Sequence, residues 1–191
     1  MANQVTLLGE IKTGFSYSHT TYSEDFYNAT ISIKRDSGKM DAIPLLISGR
    51  LITGDVLNKR VLIKGEYRSY NEHSKEKNRL KLFVFVDTIG PVEADEDIND
   101  IFLEGYICKS PVYRLTPLGR QISDVLLAVN RGYNKSDYIP CVIWGRNALA
   151  VKDLSVGQRI RVAGRIQSRE YTKNDEIKTA YELSVNLVEL S

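Results

Sequence analysis

The amino-acid sequence predicts an all-β fold of two tandem five-stranded barrels, each with one short helix between its third and fourth strands. Three observations carry that expectation: an internal repeat at fixed spacing, apolar residues alternating with polar ones at a period of two, and a short helical pattern at a matching place in the repeat. The repeat is read first, because missing it would mis-set every element. Gly9 has its counterpart in Gly105, Ile11 in Ile107, Arg35 in Arg131, Pro44 in Pro140, and Gly49-Arg50 in Gly145-Arg146, each pair 96 positions apart. The spacing slips to 99 at Gly65 and Gly164. That slip falls between Arg50 and Val61, a segment expected to hold a short helix and turn. The chain of 191 residues therefore divides into residues 1–92, an acidic linker at 93–100, and residues 101–191.

Each half reads as strand because side chains on a strand alternate between its faces. In the first half, residues 4–11 alternate apolar and polar around Val5, Leu7 and Ile11, and residues 26–34 supply Phe26, Ala29, Ile31 and Ile33. Residues 43–47 are apolar, Val61 and Ile63 share a face in 60–70, and Leu80, Leu82, Val84 and Val86 share one in 80–89. The second half repeats the five runs at 101–107, 122–130, 138–144, 159–171 and 180–190. The helical pattern runs from Asn147 to Leu154 and stops near Gly157. Closing such a sheet into a barrel removes most of its exposed edges.

Composition narrows the function classes. The chain is 42% hydrophobic and 26% charged, ordinary for a globular protein. No apolar stretch approaches the roughly 20 residues that cross a bilayer. The N-terminus lacks the pattern of a signal peptide, so a cytoplasmic location is expected and no membrane partner. The two cysteines, Cys108 and Cys141, imply no disulfide framework, and His19 and His73 leave too few ligands for a metal site. Cys141 reads as a small buried hydrophobe, and Gly105, Gly145 and Gly164 as barrel bends and bulges. Residues 1–92 carry 13 Lys and Arg against 10 Asp and Glu, and residues 101–191 carry 13 against 9. Residues 93–100 hold five acids and no base, the pattern of a solvated linker. No nucleophile–base pair, carboxylate dyad or Gly-rich phosphate loop is visible, so neither catalysis nor a cofactor is expected.

The second half concentrates the chemistry that remains. In 138–144, Ile139, Cys141 and Ile143 face the barrel interior while Tyr138, Pro140, Val142 and Trp144 face out. In 159–171, Ile160, Val162, Gly164 and Ile166 face in, and Arg161, Ala163, Arg165, Gln167, Arg169 and Tyr171 face out. Tyr133 precedes them in the loop from Asn130 to Lys135. An outer face of arginines and aromatics suits a single-stranded nucleic acid. Its phosphates need a basic track, and its unpaired bases recover stacking on aromatic rings at about 1–3 kcal/mol per base. Duplex fits poorly, because its bases are already stacked and a flat sheet enters neither groove well. RNA satisfies the same stacking logic and stays open.

These residues carry a resemblance. Glu104-Gly105-Tyr106-Ile107, the run Leu127-Ala128-Val129-Asn130-Arg131, the run from Asp137 through Trp144 to Arg146, and the run from Val162 to Tyr171 resemble the bacterial single-stranded DNA-binding protein family. The resemblance is strong over residues 101–191 and weak over residues 1–92. It implies the OB-fold, the five-stranded barrel reached above. It also implies that Tyr133, Tyr138, Trp144 and Tyr171 stack on bases. Phosphate contacts are expected from Arg131, Arg146, Arg161, Arg165 and Arg169. Members of that family gather four barrels around DNA, so a two-barrel chain is expected to act as a homodimer in replication, recombination or repair. In the first half, Ser37, Ala42 and Ser48 stand in place of Tyr133, Tyr138 and Trp144. Only a secondary, weaker site at Lys64, Arg68 and Tyr70 is expected there, or a role in assembly. The chain ends at Ser191, so no acidic C-terminal recruitment tail is expected. The alternative is a primosome- or recombination-type OB-fold assembly protein that uses the same faces mainly for protein contacts.

Overall fold

A computed structural model describes residues 2–54, 56–73 and 78–191. The first half holds six strands: β1 (Asn3–Ile11), β2 (Ser16–Thr21), β3 (Glu24–Lys34), β4 (Met40–Ser48), β5 (Arg60–His73) and β6 (Asn78–Pro91). The second holds β7 (Ile98–Ile107), β8 (Val112–Leu115), β9 (Gln121–Arg131), β10 (Lys135–Trp144), β11 (Arg159–Lys173) and β12 (Glu176–Leu190). A short helix α1 (Arg146–Val151) joins β10 to β11. In the first half a single 3-10 turn, Gly49–Leu51, stands where a helix is expected. Nothing in Gly49-Arg50-Leu51 supplies the apolar spacing that Ala148 and Val151 give α1, both of which are buried. No helix among the described residues is long and apolar enough to cross a membrane.

Hydrogen bonding closes each half on itself. In the first, the order β3-β4-β6-β5-β1 returns to β3 through Glu10 opposite Ser32 and Ile11 opposite Ile31. In the second, β9-β10-β12-β11-β7 returns to β9 through Tyr106 opposite Ala128 and Ile107 opposite Leu127. Five strands thus form each ring. The sixth strand of each half was not expected: β2 extends β3, and β8 extends β9. All residues of β2 and β8 are exposed, so burial leaves no alternation for a sequence reading to detect. The β2–β3 turn is two residues, Tyr22 and Ser23, both with positive φ (49° and 61°), as a type I′ hairpin requires.

The predicted alternation fills the interiors. Leu7, Ile31, Ile43, Leu45, Ile63 and Val84 are shut away in the first half, and Leu103, Leu127, Ile139, Ile143, Ile166 and Leu183 in the second. Each such side chain contributes about 1.5–3 kcal/mol by leaving water. Gly164 marks a register shift between β11 and β12, where a Cβ would lie 2.0 Å from the Ser184 carbonyl oxygen. Gly65 occupies the equivalent place, with the Phe85 carbonyl oxygen 2.1 Å from its would-be Cβ. Backbones approach too closely at both points for any other residue.

Compactness divides the chain differently from the repeat. One unit comprises Met1–Asn3, Ser69–Lys81 and Ile101–Ser191, and the other Gln4–Arg68 and Leu82–Asp100. Ser69–Lys81, which spans the end of β5 and the start of β6, therefore groups with Ile101–Ser191. The acidic stretch is also docked rather than free in solvent. Asp97 accepts from Arg60 Nη2 at 2.7 Å and from the Lys34 backbone N–H at 2.6 Å. Arg60 Nη2 also donates to the Glu96 carbonyl at 2.9 Å, and β7 already begins at Ile98.

Candidate nucleic-acid interface

The outer face of the second ring follows from strand register. Val142 of β10 lies beside Ser184 of β12, and Ser184 lies opposite Arg165 of β11. Alternation from these points puts Tyr138, Pro140 and Trp144 on the face of Val142, and Gln167, Arg169 and Tyr171 on the face of Arg165. The opposite side of β10 holds Ile139, Cys141 and Ile143, all buried, and burial pushes the Cys141 thiol well above its ordinary value. Tyr138 and Tyr171 are 39% and 38% exposed. Trp144 is half-buried, and its Nε1 donates to Ser184 Oγ at 3.1 Å, fixing the indole against β12. Tyr133 stands at the β9–β10 turn with φ 61° and is 98% exposed. The register thus assembles Tyr138, Trp144, Tyr171, Arg165 and Arg169 on one face, with Tyr133 on the turn at the end of β10 where Tyr138 lies.

The predicted basic residues are not equivalent. Arg165 and Arg146 are exposed and form no ion pair among the described residues. Arg169 Nε lies 3.5 Å from Glu182, and its guanidinium lies 5.9 Å from the centroid of the Tyr171 ring. Arg161 is engaged by two carboxylates. Its Nε donates to Glu104 Oε2 at 2.6 Å, and its Nη1 lies 3.4 Å from Glu189. The Arg161 hydrogen bond, with help from Arg159, holds the Glu104 carboxyl below its ordinary value, while Glu104 and then Glu189 raise Arg161. The bulge at Ala163 and Gly164 also separates Arg161 from Arg165. Arg131 Nε lies 3.3 Å from Asp137 Oδ2, and Asp137 is buried. Gln167, read as outward-facing, is itself buried and donates to Glu182 Oε1 at 3.1 Å.

The residues expected to form a secondary site lie on β5 and differ in their surroundings. Lys64 is exposed, but Arg68 is held by Glu66 Oε2 at 2.9 Å and lies 3.9 Å over the Phe85 ring. Tyr70 is exposed and belongs to the other compact unit from Lys64 and Arg68. Sequence reading missed Glu104, Glu189 and Ser184, whose partners lie on neighbouring strands and appear only once register is known. It also passed over Asp137, although Asp41 stands 96 positions earlier beside the repeated Arg35. No group of His, Cys, Asp and Glu able to hold a metal occurs among the described residues.

Comparison with known proteins agrees with this geometry. Residues 98–191 match the single-strand binding protein family. The single-stranded DNA-binding protein of Clostridium tetani is 36% identical over 85 residues, covering 41% of this chain and 59% of that protein. Single-stranded DNA-binding protein 1 of Staphylococcus aureus is 39% identical over 85 residues, covering 41% and 51%. The chain thus spans about half the length of the curated relatives it matches. The crystal structure of the wild-type single-stranded DNA binding protein from Thermus aquaticus aligns with a TM-score of 0.78 at 21% identity, covering 99% of this chain and 92% of that one. At that identity the likeness is one of fold, and it extends across both halves. Residues 98–191, just under half of the chain, are thus similar to the single-strand binding protein family.

Proposed function

We propose that this protein binds single-stranded DNA without chemistry, in replication, recombination or repair. On this reading the two closed rings are tandem OB-folds, and the second one grips the strand. Bases stack on Tyr133, Tyr138, Trp144 and Tyr171, and phosphates meet Arg165 and Arg146 first. Arg169 joins them by exchanging Glu182 for phosphate. Arg161 and Arg131, already facing carboxylates, contribute less. The observation that carries the reading is the register that gathers Tyr138, Trp144 and Tyr171 with Arg165 and Arg169 on one outer face. The match of this half to the single-strand binding protein family supports the same ligand.

The first ring has Ala42 and Ser48 where the second has Tyr138 and Trp144. Its share in strand binding is therefore weak, and assembly is the better reading of its role. A homodimer would bring four barrels together. The exposed Leu187 and Leu190 of β12 supply apolar surface for such association. Sedimentation would report it as twice the mass of the chain. The binding reading is tested by fluorescence of Trp144, the sole tryptophan, titrated with oligothymidine and with duplex at two salt concentrations. Quenching by single strand, weakening as salt rises, is expected. Equal affinity for duplex would refute the reading.

A further inference from the structure

We infer that Asp137 is a positioning residue of this interface: a buried carboxylate that sets the Tyr133 turn through Arg131 and the Tyr138 backbone through Ser69. Arg131, on this view, serves the carboxylate and not phosphate. The inference rests on the single-strand reading above.

The repeat provides the contrast. Arg35 and Asp41 recur as Arg131 and Asp137. In the first half the arginine grips the carboxylate directly. Arg35 Nε donates to Asp41 Oδ2 at 2.6 Å and its Nη2 to Oδ1 at 2.5 Å, and Asp41 is fully buried. In the second half the carboxylate is shared. Asp137 is 1% exposed, its Oδ1 accepts the Ser69 backbone N–H at 2.9 Å, and its Oδ2 faces Arg131 Nε at 3.3 Å. Ser69 Oγ then accepts the backbone N–H of Tyr138 at 2.8 Å. Ser69 lies in Ser69–Lys81, which belongs to the same compact unit as Ile101–Ser191.

One carboxylate therefore ties two points of the proposed surface. Arg131 closes β9 two residues before Tyr133, and Ser69 holds the peptide N–H of Tyr138. A buried carboxylate is tolerated only while its partners stay in place, which makes such a junction rigid. Drawing Arg131 away to a phosphate would separate it from a buried carboxylate 3.3 Å away, and this opposes a phosphate role for Arg131. The first half keeps the same two residue types, but its carboxylate is gripped by Arg35 through both oxygens, and it carries no aromatics at the matching turn and strand.

The test uses the full chain and oligothymidine across a salt series. Arg131→Gln is expected to weaken binding several-fold while leaving the slope of log affinity against log salt unchanged, whereas Arg165→Ala lowers that slope by about one. A drop of about one for Arg131→Gln overturns the assignment. A double-mutant cycle supplies the readout that a merely structural residue would not move. In an Asp137→Asn background the loss from Tyr138→Ala is expected to shrink at least threefold, because a ring no longer positioned has less to lose. Additive losses accompanied only by lower thermal stability overturn the inference. Should Asp137→Asn not fold, Ser69→Ala, which removes only the hydroxyl, takes its place in the cycle under the same criterion. If Arg165→Ala and Tyr138→Ala alone leave binding unchanged, the single-strand reading and this inference fall together.

Discussion

The two halves of this chain share a barrel and differ on its outside. Both close five strands into a ring, both place a glycine where backbones nearly touch, and both bury an aspartate against the same repeated arginine. Their outer faces diverge. Where β10 presents Tyr138 and Trp144, β4 presents Ala42 and a buried Ser48 whose hydroxyl bonds Glu24. Where Arg165 is exposed, Arg68 is covered by Glu66 and Phe85. The difference teaches that interior and exterior answer to separate constraints. The interior fixes the ring, and any change there is felt by close-packed neighbours. The exterior can change without touching the ring, which leaves the two outer faces free to diverge.

The largest break in the comparison comes from the aromatics. Replacing Tyr138, Trp144 or Tyr171 by alanine removes a stacking partner and is expected to weaken oligothymidine binding by about fivefold to more than a hundredfold each. Tyr70→Ala is expected to cost less than any of them. An isothermal titration series would check this. Equal losses for Tyr70 and Tyr138 would mean that β5 contributes to binding as strongly as β10. For stability the expectation reverses, because the shared interior demands symmetry. Gly164→Ala and Gly65→Ala each drive a Cβ against a carbonyl oxygen near 2 Å away. Each is expected to destabilise by about 1–3 kcal/mol or more, read as a lower denaturation midpoint at unchanged m. A mild effect at only one of them would show that the rings are not equivalent.

A smaller effect separates the arginines. Arg165→Ala is expected to lower the salt slope by about one and affinity several-fold, while Arg161→Ala leaves the slope nearly unchanged, since its charge is already matched by Glu104 and Glu189. Equal slopes for the two variants would place both guanidinium groups on phosphate.

How much of this was legible in the sequence depends on the range of the interaction. Strand alternation is local, so the inward sets around Ile139 and Ile166 were readable from residue types alone. The repeat gave the two halves, because a constant offset survives divergence of the faces. The exposed strands β2 and β8 left no such trace. The carboxylates that engage Arg161 were also invisible. Glu104 lies on β7 and Glu189 on β12, and only the pairing of Arg161 with each brings them together. A stripe of arginines read along one strand overstates its free charge whenever the neighbouring strands carry acids at matching register. The compact division was unreadable for a related reason: Ser69 joins the second unit through contacts with residues 68 and 69 positions away.

The smallest expected effect tests that lesson directly. Glu104 sits across from Arg161 on β7, and its hydrogen bond from Arg161 holds its carboxyl below the ordinary value. A lowered folded-state value means that the ion pair is fully present above the ordinary carboxylate range and is lost only as pH falls through the lowered value. From neutral pH down past the ordinary range, Glu104 therefore stays charged and keeps Arg161 occupied. Glu104→Gln removes that charge at every pH and leaves Arg161 facing Glu189 alone. Single-strand affinity is expected to rise two- to threefold, with a slightly steeper salt slope, because a freed guanidinium adds part of a phosphate contact (roughly 0.9 per full contact). Parent and variant should converge only in acid below the ordinary carboxylate range, where Glu104 of the parent also takes up a proton. An unchanged slope in Glu104→Gln would mean that Arg161 lies beyond the path of the strand, confining the basic track to the side of the bulge that carries Arg165 and Arg169.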